Sequence, residues 1–242
     1  MASVILEIAR KEVLSYYSRR SIIVQNIILL FAFSIIPVEQ IGQSLASGGQ
    51  RISAVSPILD LLLLIAAFYP IMIANGISVL AFPYEKDRKT LEHLLSLPLS
   101  DGEIFMGKAL AAIATGWAGL ALIYSIVFGY AFIVKGDSIV WDAPLVTPPL
   151  VVSIFVVAPL LVVLSTMALI AISSYMSNTR ESYIASIILM GVAIGISGAR
   201  LALSVDALVF DLGLAAMLAI LAFMAYMIGI KAFSRERLIA RI

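Results

Sequence analysis

Six long blocks without a charged residue dominate this sequence of 242 residues. A helix that crosses the hydrocarbon core of a bilayer needs about 20 apolar residues, within a range of about 17–25. Each block contains such a stretch, and the predicted spans are about 21–38, 61–82, 109–134, 149–172, 182–199 and 212–230. The apolar runs are continuous rather than alternating, which favours helices over the strands of a membrane barrel. We therefore predict an all-α, polytopic membrane protein with six transmembrane helices, forming a single transmembrane domain over residues 1–242.

The composition agrees with lipid as the main solvent and excludes several functions. Hydrophobic residues make up 62% of the chain and charged residues 13%, against about 45–50% and about 25% in soluble domains. The net charge of +1 gives no electrostatic basis for binding nucleic acid. The chain has no cysteine and only one histidine, His93, which excludes a disulfide scaffold, a thiolate nucleophile and a multi-histidine metal site. We expect no catalytic residue, metal or cofactor in this chain.

The distribution of basic residues predicts the orientation of the spans. The chain has 16 lysines and arginines, and all but Arg51, Lys135 and Arg200 fall in one alternating set of loops and termini. Basic residues accumulate on the cytoplasmic side of membrane proteins. Both termini and the connection over residues 83–108 are therefore predicted to lie in the cytoplasm.

Residues 1–20 are predicted to form an interfacial helix that lies on the inner membrane surface before the first span. Apolar side chains, among them Leu6, Ala9 and Val13, share one arc of the helix, and Glu7 and Arg10 share another. Such a segregated pattern is typical of a helix at a membrane interface.

The cytoplasmic connection over residues 83–108 contains a second amphipathic pattern. Leu91, Leu94 and Leu95 recur at the i, i+3 and i+4 spacing of one helical face, and Pro98 ends that helix. The leucine face has two interpretations at this point. It is either a linker that rests on lipid or a docking helix for a soluble partner.

The residues that follow predict the start of the third span. Ser100 and Glu103 have the spacing of a capping box, in which each side chain accepts a backbone N–H of the other residue. Lys108 is then expected at the membrane interface, with its aliphatic stem snorkelling towards water.

This segment resembles the signature of the type-2 ABC exporter permeases. That signature runs from an acidic residue to Thr-Leu, paired leucines, Pro, Ser, Glu-Ile and Gly-Lys, and this chain supplies it in order with Glu85, Thr90-Leu91, Leu94-Leu95, Pro98, Ser100, Glu103-Ile104 and Gly107-Lys108. One departure is Lys89, which stands where the family often has glycine. The motif covers about thirty residues, and the predicted six-span layout with cytoplasmic termini is also similar to that family.

The resemblance implies the membrane-spanning permease subunit of an ATP-driven transporter, an exporter in the cell (plasma) membrane. It implies a second permease copy or homologue and soluble ABC ATPase subunits as partners, with ATP and magnesium bound by the ATPase, and membrane lipid around the spans. The helix over residues 85–97 would couple the ATPase to the spans through Glu85, Thr90, Leu91, Leu94, Leu95 and Pro98. The alternative is a membrane scaffold or immunity-type protein that docks a soluble partner without transport.

The transport pathway has few markers in the sequence. Gln25 and Asn26 in the first span and Asn75 in the second are the polar candidates, although interhelical hydrogen bonding is the favoured explanation for such residues. Gly191 and Gly195 have the GxxxG spacing of close helix packing and predict a helix interface. An intramembrane protease is excluded, because His93 is predicted on the opposite side of the membrane from Ser197.

Residues 200–211 contain three charged residues and are predicted to remain outside the spans. They are too charged to cross a membrane and too apolar to be free in water, so we expect them at the outer interface or folded partway back into it.

Overall fold

A computed structural model describes residues 2–46, 62–81, 100–135, 147–173, 175–176, 179–202 and 206–232. The regular structure in these ranges is helical throughout, as predicted. The helices are α1 (Ala2–Tyr17), α2 (Arg20–Ala46), α3 (Leu62–Leu80, with an irregular turn at Ala67), α4 (Asp101–Lys135), α5 (Pro148–Ser173), α6 (Thr179–Ala202) and α7 (Ala207–Ala232).

Five of these helices are long and apolar enough to cross a membrane, namely α2, α3, α4, α5 and α7. They correspond to the predicted spans 21–38, 61–82, 109–134, 149–172 and 212–230. The predicted span 182–199 lies within α6, where several side chains are outside the described part of the chain. The chain is therefore an all-helical, multi-pass membrane protein.

Helix α3 lies at the centre of the bundle. In its apolar window 78% of the residues are buried, against 17% in α2 and 28% in α7. Its side chains pack with α4 and α5 in a continuous core that includes Phe68, Ile71, Ile123 and Val162. Helices α2 and α7 instead expose large apolar side chains, and in a lipid solvent such faces need no further cover.

Helix α4 has 35 residues, which at 1.5 Å per residue is about 52 Å. The hydrocarbon core is about 30 Å thick, so this helix is longer than a membrane crossing requires. Its first turns, from Asp101 to Lys108, extend the span at the end of the bundle where α3 ends.

Helix α5 contains one π-helical turn over Ser153–Val157. Pro159 lies two residues after this turn, and a proline cannot donate the hydrogen bond to the carbonyl four residues earlier, which is that of Phe155 within the turn. The wider π spacing therefore lies where the regular helical ladder is already interrupted. The helix begins after Thr147, whose side chain accepts a hydrogen bond from the Leu150 amide at 3.4 Å.

The predicted interfacial segment over residues 200–211 is helical at both of its ends. Helix α6 continues to Ala202, and α7 begins at Ala207. Asp206 caps α7 by accepting hydrogen bonds from the amides of Leu208 and Val209 at 2.9 and 3.3 Å. Asp206 therefore lies at the N-terminus of α7 and Asp211 inside it, while the location of residues 200–211 at the outer interface stays a prediction.

Candidate functional site

The leucine-rich coupling segment lies between two described helices. Glu85, Thr90, Leu91, Leu94, Leu95 and Pro98 lie outside the described residues, so their roles stay predictions. The structure does describe the residues that flank them, Ala81 after α3 and Ser100 before α4. Helix α4 packs closely against both α3 and α1, and α1 also contacts α3 at Gly76.

The start of α4 has the geometry of a capping box. The Ser100 amide donates to Glu103 Oε2 at 2.8 Å, and the Glu103 amide donates to Ser100 Oγ at 3.3 Å. The Ser100 hydroxyl also donates to Glu103 Oε2 at 2.8 Å. These bonds satisfy backbone donors that the first turn of a helix otherwise leaves free. They define Asp101 as the first residue of α4.

Helix α1 docks on glycines of α3 and α4, in an interface that we call the α1 dock (α1 with Gly76, Gly107 and Lys108). A Cβ atom added at Gly107 would lie 2.7 Å from Ile8 Cγ2, and one added at Gly76 would overlap the Tyr16 hydroxyl. Side chains larger than hydrogen at these two positions would push α1 away. The N-terminal helix therefore packs on protein as well as facing the surface, where Leu6 is 60% exposed.

An ion pair joins α1 to α4 inside the α1 dock. Lys108 Nζ donates to Glu12 Oε1 at 2.8 Å, and the two side chains are 1% and 17% exposed. The expectation that Lys108 snorkels to the membrane surface is therefore wrong, because its ammonium group has a carboxylate partner within the protein. A buried charge is tolerated when it is paired and hydrogen-bonded.

The tyrosines at the end of α1 complete the dock. Burial raises the pKa of Tyr16 to about 12, and burial also raises the pKa of Tyr17. Both hydroxyls therefore stay protonated and neutral at physiological pH. The side chain of Asn26 lies next to both tyrosines. It lowers the pKa values of their hydroxyls, but by less than burial raises them.

The structure separates the three polar residues predicted near the pathway. Gln25 is exposed on α2, Asn26 is buried beside α1, and Asn75 is buried in the centre of the bundle. Asn75 Oδ1 accepts a hydrogen bond from Ser165 Oγ at 2.7 Å, while its Nδ2 has no hydrogen-bond partner among the described residues. Gln25, Asn26 and Asn75 do not form one cluster, and a pathway role for them stays a prediction.

The two glycines with GxxxG spacing lie on an open face of α6. Gly191 and Gly195 are exposed, and a Cβ atom added at either would have no neighbour within 4 Å in the part of the chain that the structure describes. They make no close helix contact there. The helix interface predicted at Gly191 and Gly195 therefore stays a prediction.

Sequence reasoning missed a buried carboxylate on α7. Asp211 is 1% exposed, and its Oδ2 accepts a hydrogen bond from Ser153 Oγ at 2.8 Å, at the start of the π-helical turn of α5. The two residues are 58 positions apart, so no local pattern links them. The available signal was the conflict between a charged residue and its strongly apolar neighbours, which commonly marks a functional position in membrane proteins.

Comparison with known proteins assigns most of this chain to one family. Residues 6–209 match the profile of the family described as ABC-2 family transporter protein. No curated protein matches the chain in sequence. The match covers α1 to the first turn of α7, including the coupling segment and the α1 dock, and it agrees with the resemblance read from Glu85 to Lys108. The chain therefore belongs to the ABC-2 transporter family and is a permease, the non-catalytic membrane-spanning subunit of an ABC transporter.

Proposed function

We propose that this permease is driven by a separate ABC ATPase, that it works as an exporter in the plasma membrane, and that the helix over residues 85–97 couples the two proteins. We also propose that the chain has six spans and that both termini and residues 83–108 lie in the cytoplasm. The ATPase would bind ATP and magnesium and would dock on the leucine face of that helix. The permease itself would contribute two arrangements of its helices, which nucleotide binding on the partner would bias.

The α1 dock is the observation that carries this proposal. The coupling segment joins α3 directly to α4, and α1 holds the adjoining parts of both helices through Gly76, Gly107 and the Glu12–Lys108 ion pair. A displacement of the coupling segment would therefore move these helices together rather than being absorbed by a loose connection. Packed elements transmit displacement because protein interiors are close-packed.

The test uses acidic substitutions on two faces of the coupling helix. Leu94→Asp and Leu95→Asp each place a charge on the leucine face, while Ser96→Asp places the same charge on the opposite face by helical spacing. We expect the first two variants to lose ATPase binding and transport and the third to retain both. Normal ATPase retention in the leucine variants would contradict the docking assignment.

Single-cysteine labelling tests the predicted orientation, because the chain has no native cysteine. Ser18 precedes the first span and Ser138 follows the third. A membrane-impermeant maleimide should label Ser18→Cys only from the cytoplasmic side and Ser138→Cys only from the opposite side. Labelling of both from one side would contradict the predicted arrangement of the spans.

The open glycine face of α6 supports pairing of two permease subunits. Small residues allow helix backbones to approach closely within a membrane, and this face is exposed at Gly191 and Gly195. Val192 lies beside it and is 55% exposed, while Phe223 is 64% exposed on α7. Val192→Cys should form a disulfide-linked dimer under oxidation and Phe223→Cys should not. Equal crosslinking of the two would contradict this interface.

A further inference from the structure

We propose that a groove between α1, α3 and α4 holds one acyl chain of a membrane phospholipid. The groove has a volume of about 370 Å³. It is lined by Val13 and Tyr17 of α1, by Tyr69 and Ile73 of α3, and by one face of α4 over residues 114–122. The described residues that line this acyl groove do not include Gly191 or Gly195 of the proposed subunit interface.

The sequence of α4 explains why the groove exists. Gly119 lets α3 approach closely, since a Cβ atom there would lie 3.2 Å from Pro70 Cβ. Ala118 is adjacent to Gly119, and Ala114 lies about one turn before Ala118; the short side chains of both alanines leave space that larger residues would fill. Both alanines are exposed, and Leu122 is 46% exposed, so the groove opens at the outer surface of the bundle.

The lining favours an apolar chain over water or a polar solute. It contains no charged residue, and the Thr115 hydroxyl already donates to the Ala111 carbonyl at 2.7 Å. The only other polar side chains in the described lining are those of Tyr17 and Tyr69. Six of the nine described lining residues have no polar side-chain atom, so most of the groove surface is apolar. The volume lies at the lower end of the range for ligand pockets, about 300–1,000 Å³.

The length and position of the groove fit a lipid chain in one leaflet. Ala114 and Leu122 are eight residues apart, about 12 Å along the helix, and one leaflet contributes about 15 Å of hydrocarbon. Two of the three helices that form the groove, α3 and α4, are long and apolar enough to cross a membrane, so lipid tails are the solvent on their exposed faces. Arg20 is exposed at the start of α2, three residues after Tyr17. Its positive charge is complementary to a lipid phosphate at the interface.

Photocrosslinking in nanodiscs tests the proposal directly. The permease would be reconstituted with a phospholipid that carries a diazirine in the acyl chain and, after irradiation, labelled peptides would be mapped by mass spectrometry. We expect label concentrated on residues 114–122 of α4 and around Val13 of α1. Ala118→Phe fills the groove and should lose this label, while Ala121→Phe, at an exposed alanine outside the groove on the same helix, should retain it.

Three outcomes would overturn the proposal. The first is label spread evenly over the exposed faces of α2 and α7. The second is unchanged label at residues 114–122 in Ala118→Phe that elutes as a single folded species. The third is an Ala118→Cys variant that forms a disulfide with its own copy, because a second permease subunit would then occupy the groove. None of these readouts depends on ATPase binding, so they are independent of the proposed function.

Discussion

Removing one partner of the Glu12–Lys108 ion pair should strongly destabilise the permease. In Lys108→Met the Glu12 carboxylate would lose its hydrogen-bonded partner in a site where it is only 17% exposed. Leaving one member of a buried pair unpaired costs about 3–5 kcal/mol. Because the remaining exposure admits some water to Glu12, we expect the lower end, about 3 kcal/mol, which corresponds to roughly a hundredfold in the unfolding equilibrium.

The assay is an unfolding titration in mixed micelles, followed by the loss of helical circular dichroism. The double variant Glu12→Leu with Lys108→Met removes both charges, and replacing a buried pair by apolar residues is often neutral or stabilising. We therefore expect it to recover most of the stability that the single variant loses. Lys11→Met is the matched control, since Lys11 is exposed one residue away, and surface substitutions usually stay within about 0.5 kcal/mol.

Two results would contradict the stabilising role assigned to the Glu12–Lys108 ion pair. If Lys108→Met is no less stable than Lys11→Met, the pair does not hold α1 on α4. If the double variant is as unstable as Lys108→Met, the loss comes from packing of the lysine stem rather than from an unpaired carboxylate. The double-mutant cycle separates these terms because the two residues are in direct contact.

Three further predictions concern neighbouring features. Gly107→Ala should displace α1 and lower the melting temperature. In the control Gly102→Ala the new methyl group has no neighbour within 4 Å, so that variant should be neutral or more stable by up to about 1 kcal/mol. Equal effects of the two substitutions in a thermal melt would contradict the α1 dock. Ser100→Ala should cost about 1 kcal/mol by removing the cap of α4, measured by the same unfolding titration, and an unchanged midpoint would show that the cap is dispensable. Asn75→Ala should reduce transport more than it reduces folded protein, and Ser165→Ala, which removes its 2.7 Å partner, should have a smaller effect on transport. Loss of folded Asn75→Ala with normal activity per molecule would instead assign Asn75 to helix packing.

The features that could be predicted are those with a local physical cause. Apolar length alone predicts membrane-crossing helices, and a Ser-x-x-Glu pattern is sufficient to place the start of α4 at Asp101. The apolar arc of α1 is also a local pattern, and Ala9 and Val13 of that arc do pack inward.

The features that could not be predicted depend on pairing between distant residues. Lys108 looks like an interfacial lysine because its partner, Glu12, is 96 positions away. The same holds for Asp211 and Ser153, whose hydrogen bond joins two helices. Nothing in the sequence around Gly76 and Gly107 indicates that α1 packs against these two glycines. Each of these contacts depends on which helices meet in the folded chain, and local sequence patterns do not reveal that.

We propose that this permease works with a soluble ATPase. Purification of the tagged chain from its native membranes in mild detergent tests this directly. We predict a stoichiometric ABC ATPase in the complex, lost in Leu94→Asp and Leu95→Asp and retained in Ser96→Asp. Nucleotide hydrolysis by that complex should respond to the same leucine substitutions. A stable complex that contains no ATPase would contradict the account and would favour a membrane scaffold that docks a different soluble partner.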